Sequence, residues 1–427
     1  MSTHASARPS YAAVLRVPHA RRTFVSALTA RLSYGTVSLA VLLSVTRATD
    51  SYAVSGVVMS LFGATSVFLM PVRASLIDRH GPRRALLPMS VLYGTLLCVL
   101  AALTWRPAVP PTALAAAAAL AGACAPPLGP TMRALWAELL PDRDLLRRAY
   151  SLDGVAEELL YVSGPVLIGA LTAFAHPASG LLLSAFLIVA GTCAFVMSPV
   201  MPGPRSASRA QRRGGVRGLG TPVAVALGVG LALSGVDLLA MAFASAHAYD
   251  PGTVPWVLGA LSAGSAVGGL VNGAVPWRSA ARERLLLFAL ALGLTVAAAG
   301  LAPNLWTLTV AMAVAGAFLA PALTTAYLLA DETVPADART RAGAWVNMGV
   351  NAGSSGGALV AGLLIGRLPL CACFALAGGA ALLPALSAVR WRAGRAADHA
   401  ASAGDTPPER AGATGRPAEA CPAGERS

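Results

Sequence analysis

Runs of predominantly apolar residues recur twelve times along this chain, each about 20 residues long, the length a helix needs to cross the hydrocarbon core of a bilayer. In lipid every backbone N–H and C=O must be paired internally, so such runs are constrained to be helices. The runs fall at 23–46, 53–76, 83–104, 112–136, 148–174, 178–199, 221–246, 253–275, 283–301, 304–330, 341–366 and 369–390. Composition points the same way, with 56% hydrophobic and 12% charged residues, against about 45–50% and about 25% in a soluble domain. Too few charges remain to coat a soluble body of 427 residues. The expected fold class is an all-α membrane protein with twelve transmembrane helices.

Arginine placement orients them. The chain has no lysine, and all 32 basic residues are arginine. With the N-terminus in the cytoplasm, and arginines at helix ends counted with the adjoining loop, 28 of the 32 fall in the termini or loops on that side. Arg47, Arg106 and Arg367 fall on the other side, and Arg31 lies within the first span. This is the positive-inside pattern, and removing any one span would invert every later loop. The expectation is a multi-pass protein of the inner (plasma) membrane, surrounded by lipid, with both termini cytoplasmic. Orientation accounts for the net charge of +13. The arginines lack the interleaved aromatics of a nucleic-acid surface, so no nucleic-acid partner is expected.

The longest extramembrane connection holds Pro202, Pro204, Gly214, Gly215 and several arginines, a flexible basic linker. The organisation is a cytoplasmic N-terminal segment (1–22), a six-helix half (23–200), the linker (201–220), a second six-helix half (221–392) and a disordered tail (393–427). The halves echo each other. Arg79 and Arg83 match Arg278 and Arg282 at a constant offset, and Arg148, Gly164 and Gly169 match Arg341, Gly357 and Gly362 at another. Two pseudo-symmetric halves place a binding site between them near mid-membrane.

The loop after the second span reads Asp78-Arg79-His80-Gly81-Pro82-Arg83-Arg84. Gly81 permits a tight turn, Pro82 suits the first position of a helix, and the arginines hold that end at the surface. Asp78, a carboxylate in a basic loop, needs a partner. This spacing, with twelve spans, a basic central linker and a half-repeat, resembles the signature loop of the major facilitator superfamily over about residues 21–392. The resemblance implies two halves that rock about a central cavity. It also implies that Asp78, Arg79, Arg83 and Arg84 form a charge cluster stabilising one access state, with Arg133 as an added partner and the start of span 11 near Arg341 offering backbone N–H groups. Gly164-Pro165 and Gly169 in span 5 resemble part of a motif of drug and metabolite exporters in that superfamily. The arginine that many proton-coupled members carry within span 4 is missing from Ala113 to Ala123, and Arg133 is placed too near the cytoplasmic end to replace it.

Charges within spans mark function or pairing, because burying them is costly. Arg31 lies nine residues past Arg22, roughly 14 Å deep at about 1.5 Å per residue. Glu157 and Glu158 reach a similar depth in span 5, so an Arg31–glutamate pair is expected, either structural or part of a substrate or proton site. Under the functional reading, Arg31 and protons compete for Glu158, which corresponds to Asn351 by the repeat. Asp237 in span 7 either faces an aqueous cavity or is protonated, or, if the helix ends early, sits at the interface. Asn347 and Asn351, four apart, share one face of span 11.

The expected activity is proton-coupled export of a small amphiphilic compound by a monomer, with no cofactor beyond the proton gradient. The alternatives are an uptake permease of the same fold and, from another class, a membrane sensor or enzyme. The cysteines lack a metal-ligand pattern, and without lysine there is no phosphate-binding loop. No nucleophile–base set appears within the spans, so no enzyme is expected.

Overall fold

The computed structural model describes residues 10–106, 109–201, 218–250 and 253–382. The core of the expected linker (202–217) and the tail lie outside the described residues, as do the last residues of span 12. A short helix α1 (Tyr11–Arg16), which apolar periodicity did not predict, precedes span 1, α2 (Ala20–Thr49). Span 2 is built from α3 (Tyr52–Phe68) and α4 (Met70–His80), and span 3 is α5 (Pro82–Trp105). Span 4 is built from α6 (Pro111–Cys124) and α7 (Leu128–Leu139). Spans 5 and 6 are α8 (Arg143–Thr172) and α9 (Ala178–Val196). The second half comprises α10 (Gly220–Ala246), α11 (Val254–Ala274), α12 (Ala281–Ala299), α13 (Leu305–Thr333), α14 (Arg339–Leu364) and α15 (Leu370–Leu382). Every expected span is represented among the described residues, with the described ends shifted by a few residues.

Local chemistry sets several ends. Asp142 accepts from the Asp144 and Leu145 N–H groups at the start of α8, and Asn304 and Thr307 form a reciprocal capping box at the start of α13. Each supplies acceptors for N–H groups that have no partner inside the helix. Length and hydropathy alone select nine spans, counting the bent pair α3–α4 as one. The remaining three fail for physical reasons. α12 opens on Arg282, Glu283 and Arg284, α14 carries Asn347 and Asn351, and only 13 residues of α15 are described. A helix that lines a polar cavity need not be apolar all round.

Two spans are broken. α3 and α4 meet at 41° around Leu69, where Pro71 follows. A proline ring clashes with the preceding turn and provides no N–H, so carbonyls are freed there. Pro126–Pro127 break span 4 in the same way. Arg73, counted above with the loop that follows span 2, is buried between the breaks and donates to the freed carbonyls of Ser66 and Gly122. One guanidinium joins two broken helices.

The half-repeat is visible in the packing. Gly164 of α8 lies against the Gly35 backbone of α2, and its repeat partner Gly357 lies against Leu231 of α10. Gly169 and its partner Gly362 both face open space. Span 1 therefore packs on span 5 as span 7 packs on span 11. A Cβ at position 164 would collide with backbone rather than with a yielding side chain. We expect Gly164→Ala to cost about 1–3 kcal/mol, as overpacking does, with Gly169→Ala neutral. Thermal unfolding of the two variants in detergent checks this, and equal melting temperatures would refute the close-packing role.

Candidate functional site: an ion quartet, a bilobed cavity and a gate

Asp153 and Glu157 are four apart on α8 and so share a face. Arg31 of α2 approaches them from one side, with Nη1 2.6 Å from Asp153 Oδ1 and Nη2 2.9 Å from Glu157 Oε2. Arg133 of α7 approaches from the other, with Nε 3.0 Å from Asp153 Oδ2 and Nη2 also on Glu157 Oε2. Each carboxylate bridges both arginines, and the four charges sum to zero. The Arg133 guanidinium also lies 3.9 Å from the centroid of the Tyr327 ring, on α13 of the other half. Such a stack draws the cation to the ring's negative face.

Three expectations change here. Arg31 has its glutamate partner in Glu157, whereas Glu158 is not its partner. Adjacent residues on a helix point about 100° apart, and Glu158 turns away to accept from the Ser265 hydroxyl of α11. Arg133 is not a partner of Asp78. Span 4 runs on to Leu139, which places Arg133 inside the bundle at the quartet. Asp153 is an unforeseen member, because its depth counted from Arg147 is modest.

The quartet borders a cavity with two lobes. One, of about 250 Å³, lies beside Arg31, Tyr34, Phe62 and Arg73. The other, of about 340 Å³, lies beside Glu158, Leu233, Leu319, Leu323 and Tyr327. Glu157, Tyr161, Asn347 and Asn351 line both. Asn351 Nδ2 donates to Asn347 Oδ1 at 2.7 Å, and Asn347 Nδ2 donates to the Tyr327 hydroxyl at 3.3 Å. The two asparagines are therefore cavity residues tied through Tyr327 to the quartet. Glu158 Oε2 is buried with no hydrogen-bond partner among the described residues. Asp237 is exposed, one turn past Leu233 on the same face of α10, and forms no ion pair among the described residues.

On the arginine-rich face the two halves are closed against each other. Gly81, at φ +82°, turns the chain between α4 and α5, with Pro82 opening α5. Asp78 Oδ2 accepts from the Arg341 N–H at 3.0 Å, in the first turn of α14. A carboxylate is favoured there by unpaired N–H groups and the helix dipole. The expected charge cluster is not assembled. Arg83 donates to Ser198 C=O at 3.2 Å beyond α9, and Arg79 and Arg84 are exposed.

The symmetry-related contact inverts the polarity. Trp277 stands at the position equivalent to Asp78 and packs edge-on against Phe288. In place of a carboxylate on N–H groups, Arg147 and Arg148 of α8 donate to Val275 and Ala274 carbonyls at the end of α11. Tyr150 to Asp331, Arg339 to Ala137 C=O and Arg143 to Glu332 complete the closure.

The chain belongs to the Major Facilitator Superfamily, whose model matches residues 23–275 and again 223–420. It is a multi-pass membrane transporter of the major facilitator type. A bacterial homologue of the iron transporter ferroportin, solved in an outward-facing state, is similar in structure (TM-score 0.69, 15% identity, covering 87% of this chain and 99% of that one). So is the E. coli fucose:proton symporter (TM-score 0.65, 14% identity, 88% and 98%). The human organic anion transporter MFSD10 (TETRAN) is a third (TM-score 0.63, 18% identity, 88% and 99%). At these identities the likeness is one of fold. No curated protein matches the sequence significantly.

Two outcomes follow from this geometry. Arg31→Ala leaves the quartet one positive charge short, and breaking a buried pair costs about 3–5 kcal/mol. Folded yield should therefore fall for Arg31→Ala and recover when Asp153→Asn is added; no recovery would mean the four charges are not coupled. At the gate, Asp78→Asn removes a full charge from a helix N-terminus, worth up to about 2 kcal/mol in a partly buried setting. Spin-label distances between the ends of α4 and α14 should lengthen in a larger share of molecules. An unchanged distribution would leave Asp78 a topological marker.

Proposed function

We propose that this transporter exports small amphiphilic compounds in exchange for protons, as a monomer in the plasma membrane with its termini and arginine-rich face in the cytoplasm. The observation that carries the reading is Glu158. It borders the larger lobe at the seam between halves, with one oxygen held by Ser265 of the opposite half and the other without a partner among the described residues. The quartet is charge-balanced, so Glu158 is the carboxylate in that lobe left to exchange a proton. Leu233, Leu319 and Leu323 beside Tyr161 and Tyr327 offer an apolar wall to the body of an amphiphile. Asp237, further along the face of α10 that carries Leu233, is the residue assigned to a cationic group of the substrate in this reading.

The cycle runs by alternating access. With the cytoplasmic ends sealed, a proton arriving from outside neutralises Glu158 and weakens the hold on substrate. The halves then rock, breaking the Asp78 and Arg147–Arg148 contacts, and the proton leaves on the cytoplasmic side as the next substrate binds. Gly164, Pro165 and Gly169 support export through their resemblance to the exporter motif, and Gly164 brings spans 1 and 5 into backbone contact. The driving force is the proton gradient, and no cofactor takes part.

Reconstituted protein under an imposed pH gradient, screened against a compound panel, tests this. Wild type should concentrate substrate against its gradient, while Glu158→Gln should bind the same compound and fail to concentrate it. Accumulation by Glu158→Gln under ΔpH alone would sink the assignment. Movement of substrate only in the direction of the protons would make the chain an uptake permease.

A further inference from the structure

Below the cavity, Tyr150 of α8 and Asp331 of α13 meet across the two halves, both buried. The Tyr150 oxygen contacts two acceptors, Asp331 Oδ2 and, at 2.9 Å, the Arg133 carbonyl. A phenol has one hydrogen and can serve one of them. The other contact would then press two oxygens together with no hydrogen between them. Both contacts are satisfied when the Asp331 carboxyl carries a hydrogen. It donates to the tyrosine oxygen, and the tyrosine donates to the carbonyl.

Arginines lie near Asp331, but among the described residues none forms an ion pair with it. Several of the nearby arginines have other partners. From α7, Arg133 belongs to the quartet. From α8, Arg143 reaches Glu332 at 3.5 Å and Arg147 reaches Asp144 at 3.0 Å. Arg339, opening α14, donates to Ala137 C=O at 3.3 Å. Arg284 of α12 faces Trp277, with Arg278 exposed beside it. α11 carries no ionisable side chain, and the only one on α10 is Asp237, well over half the helix length from its Gly220 end. On α13 itself, Glu332 is the adjacent acid and Tyr327 lies a turn away beneath Arg133. Asp331 also lines a cavity of about 780 Å³ that includes exposed Arg143 and Arg278, which gives protons a route from the arginine-rich face.

We propose that Asp331 is a proton-binding site of the gate, separate from the transport cavity, and that a proton taken up from the arginine-rich face holds that gate shut. When the halves part, Tyr150 withdraws and the carboxyl is left to water and the surrounding arginines, which favour its ionised form. The closed state then binds the proton more tightly than the open one. Acid on this face therefore favours closure, and alkali favours opening. One linked proton changes the closed-to-open ratio by up to about tenfold per pH unit. The inference goes beyond the export reading and needs no substrate to test.

Label Pro141→Cys and Ser279→Cys, which line the two sides of that cavity, in a background free of other cysteines, and measure their distance by electron resonance in substrate-free reconstituted protein from pH 5 to 9. Wild type should pass from short to long distances as pH rises, with a slope of one proton. Asp331→Asn, whose amide can donate to Tyr150 as the neutral acid does, should stay short throughout. Tyr150→Phe should lower the closed-to-open ratio at acid pH by about tenfold, the worth of one hydrogen bond. A wild-type distribution that ignores pH, or an Asp331→Asn variant that keeps the wild-type response, would overturn the proposal. The wild-type titration needs neither Asp331 nor Tyr150 changed, so a failure of either variant to fold leaves the inference testable.

Discussion

Four charges that cancel inside an apolar bundle are the constraint from which the rest of this architecture follows. Either arginine alone at that depth would demand a water-filled surround. Arg31, Arg133, Asp153 and Glu157 instead satisfy one another, and to do so they bring spans 1, 4 and 5 to one point. Replacing such a set by apolar residues can be neutral for stability, whereas removing one member is not. The arrangement therefore reads as a device for position. It holds Glu157 in the wall shared by both lobes and leaves Glu158, one residue on, facing the opposite half.

The broken helices serve the same arrangement. Pro126–Pro127 divide span 4 so that α7 carries Arg133 to the quartet, and the break in span 2 frees carbonyls that Arg73 occupies. At the gate the two halves use helix ends in opposite senses. The first half presents a carboxylate to the N–H groups of α14, and also arginines to the carbonyls of α11. All of these side chains come from the first half, so the second half contributes mainly backbone to these contacts. The duplication supplied two equivalent positions, and Asp78 and Trp277 now differ in kind.

Much of this was legible in the sequence. The spans and the half-repeat follow from apolar length and constant offsets, and the Asp78–Arg341 approach from the resemblance of the loop to the superfamily signature, which helix-end chemistry then explains. What escaped depended on distances between spans. Arg73 and Arg133 look like loop arginines because hydropathy windows end near them, yet broken helices carry them inward. Asp153 is shallow when counted along α8, and only Arg133 arriving from another span reveals its role. Glu158 and Glu157 are neighbours in sequence with different partners, a choice set by 100° of helix rotation. Tyr150 and Asp331 carry no local signal, since their meeting is a property of one closed state.

The balance of the quartet has an electrical consequence. All four members belong to the first half, so they travel together when the halves rock, and a group of zero net charge moves through the membrane field without work. A unit charge crossing that field experiences about 2.3 kcal/mol per 100 mV. Voltage can therefore act on the cycle through groups outside the quartet, among them Glu158 and its proton, the substrate, and side chains such as Arg73 and Asp237 that form no ion pair among the described residues. The two buried arginines of the quartet are thereby spared from behaving as a voltage sensor.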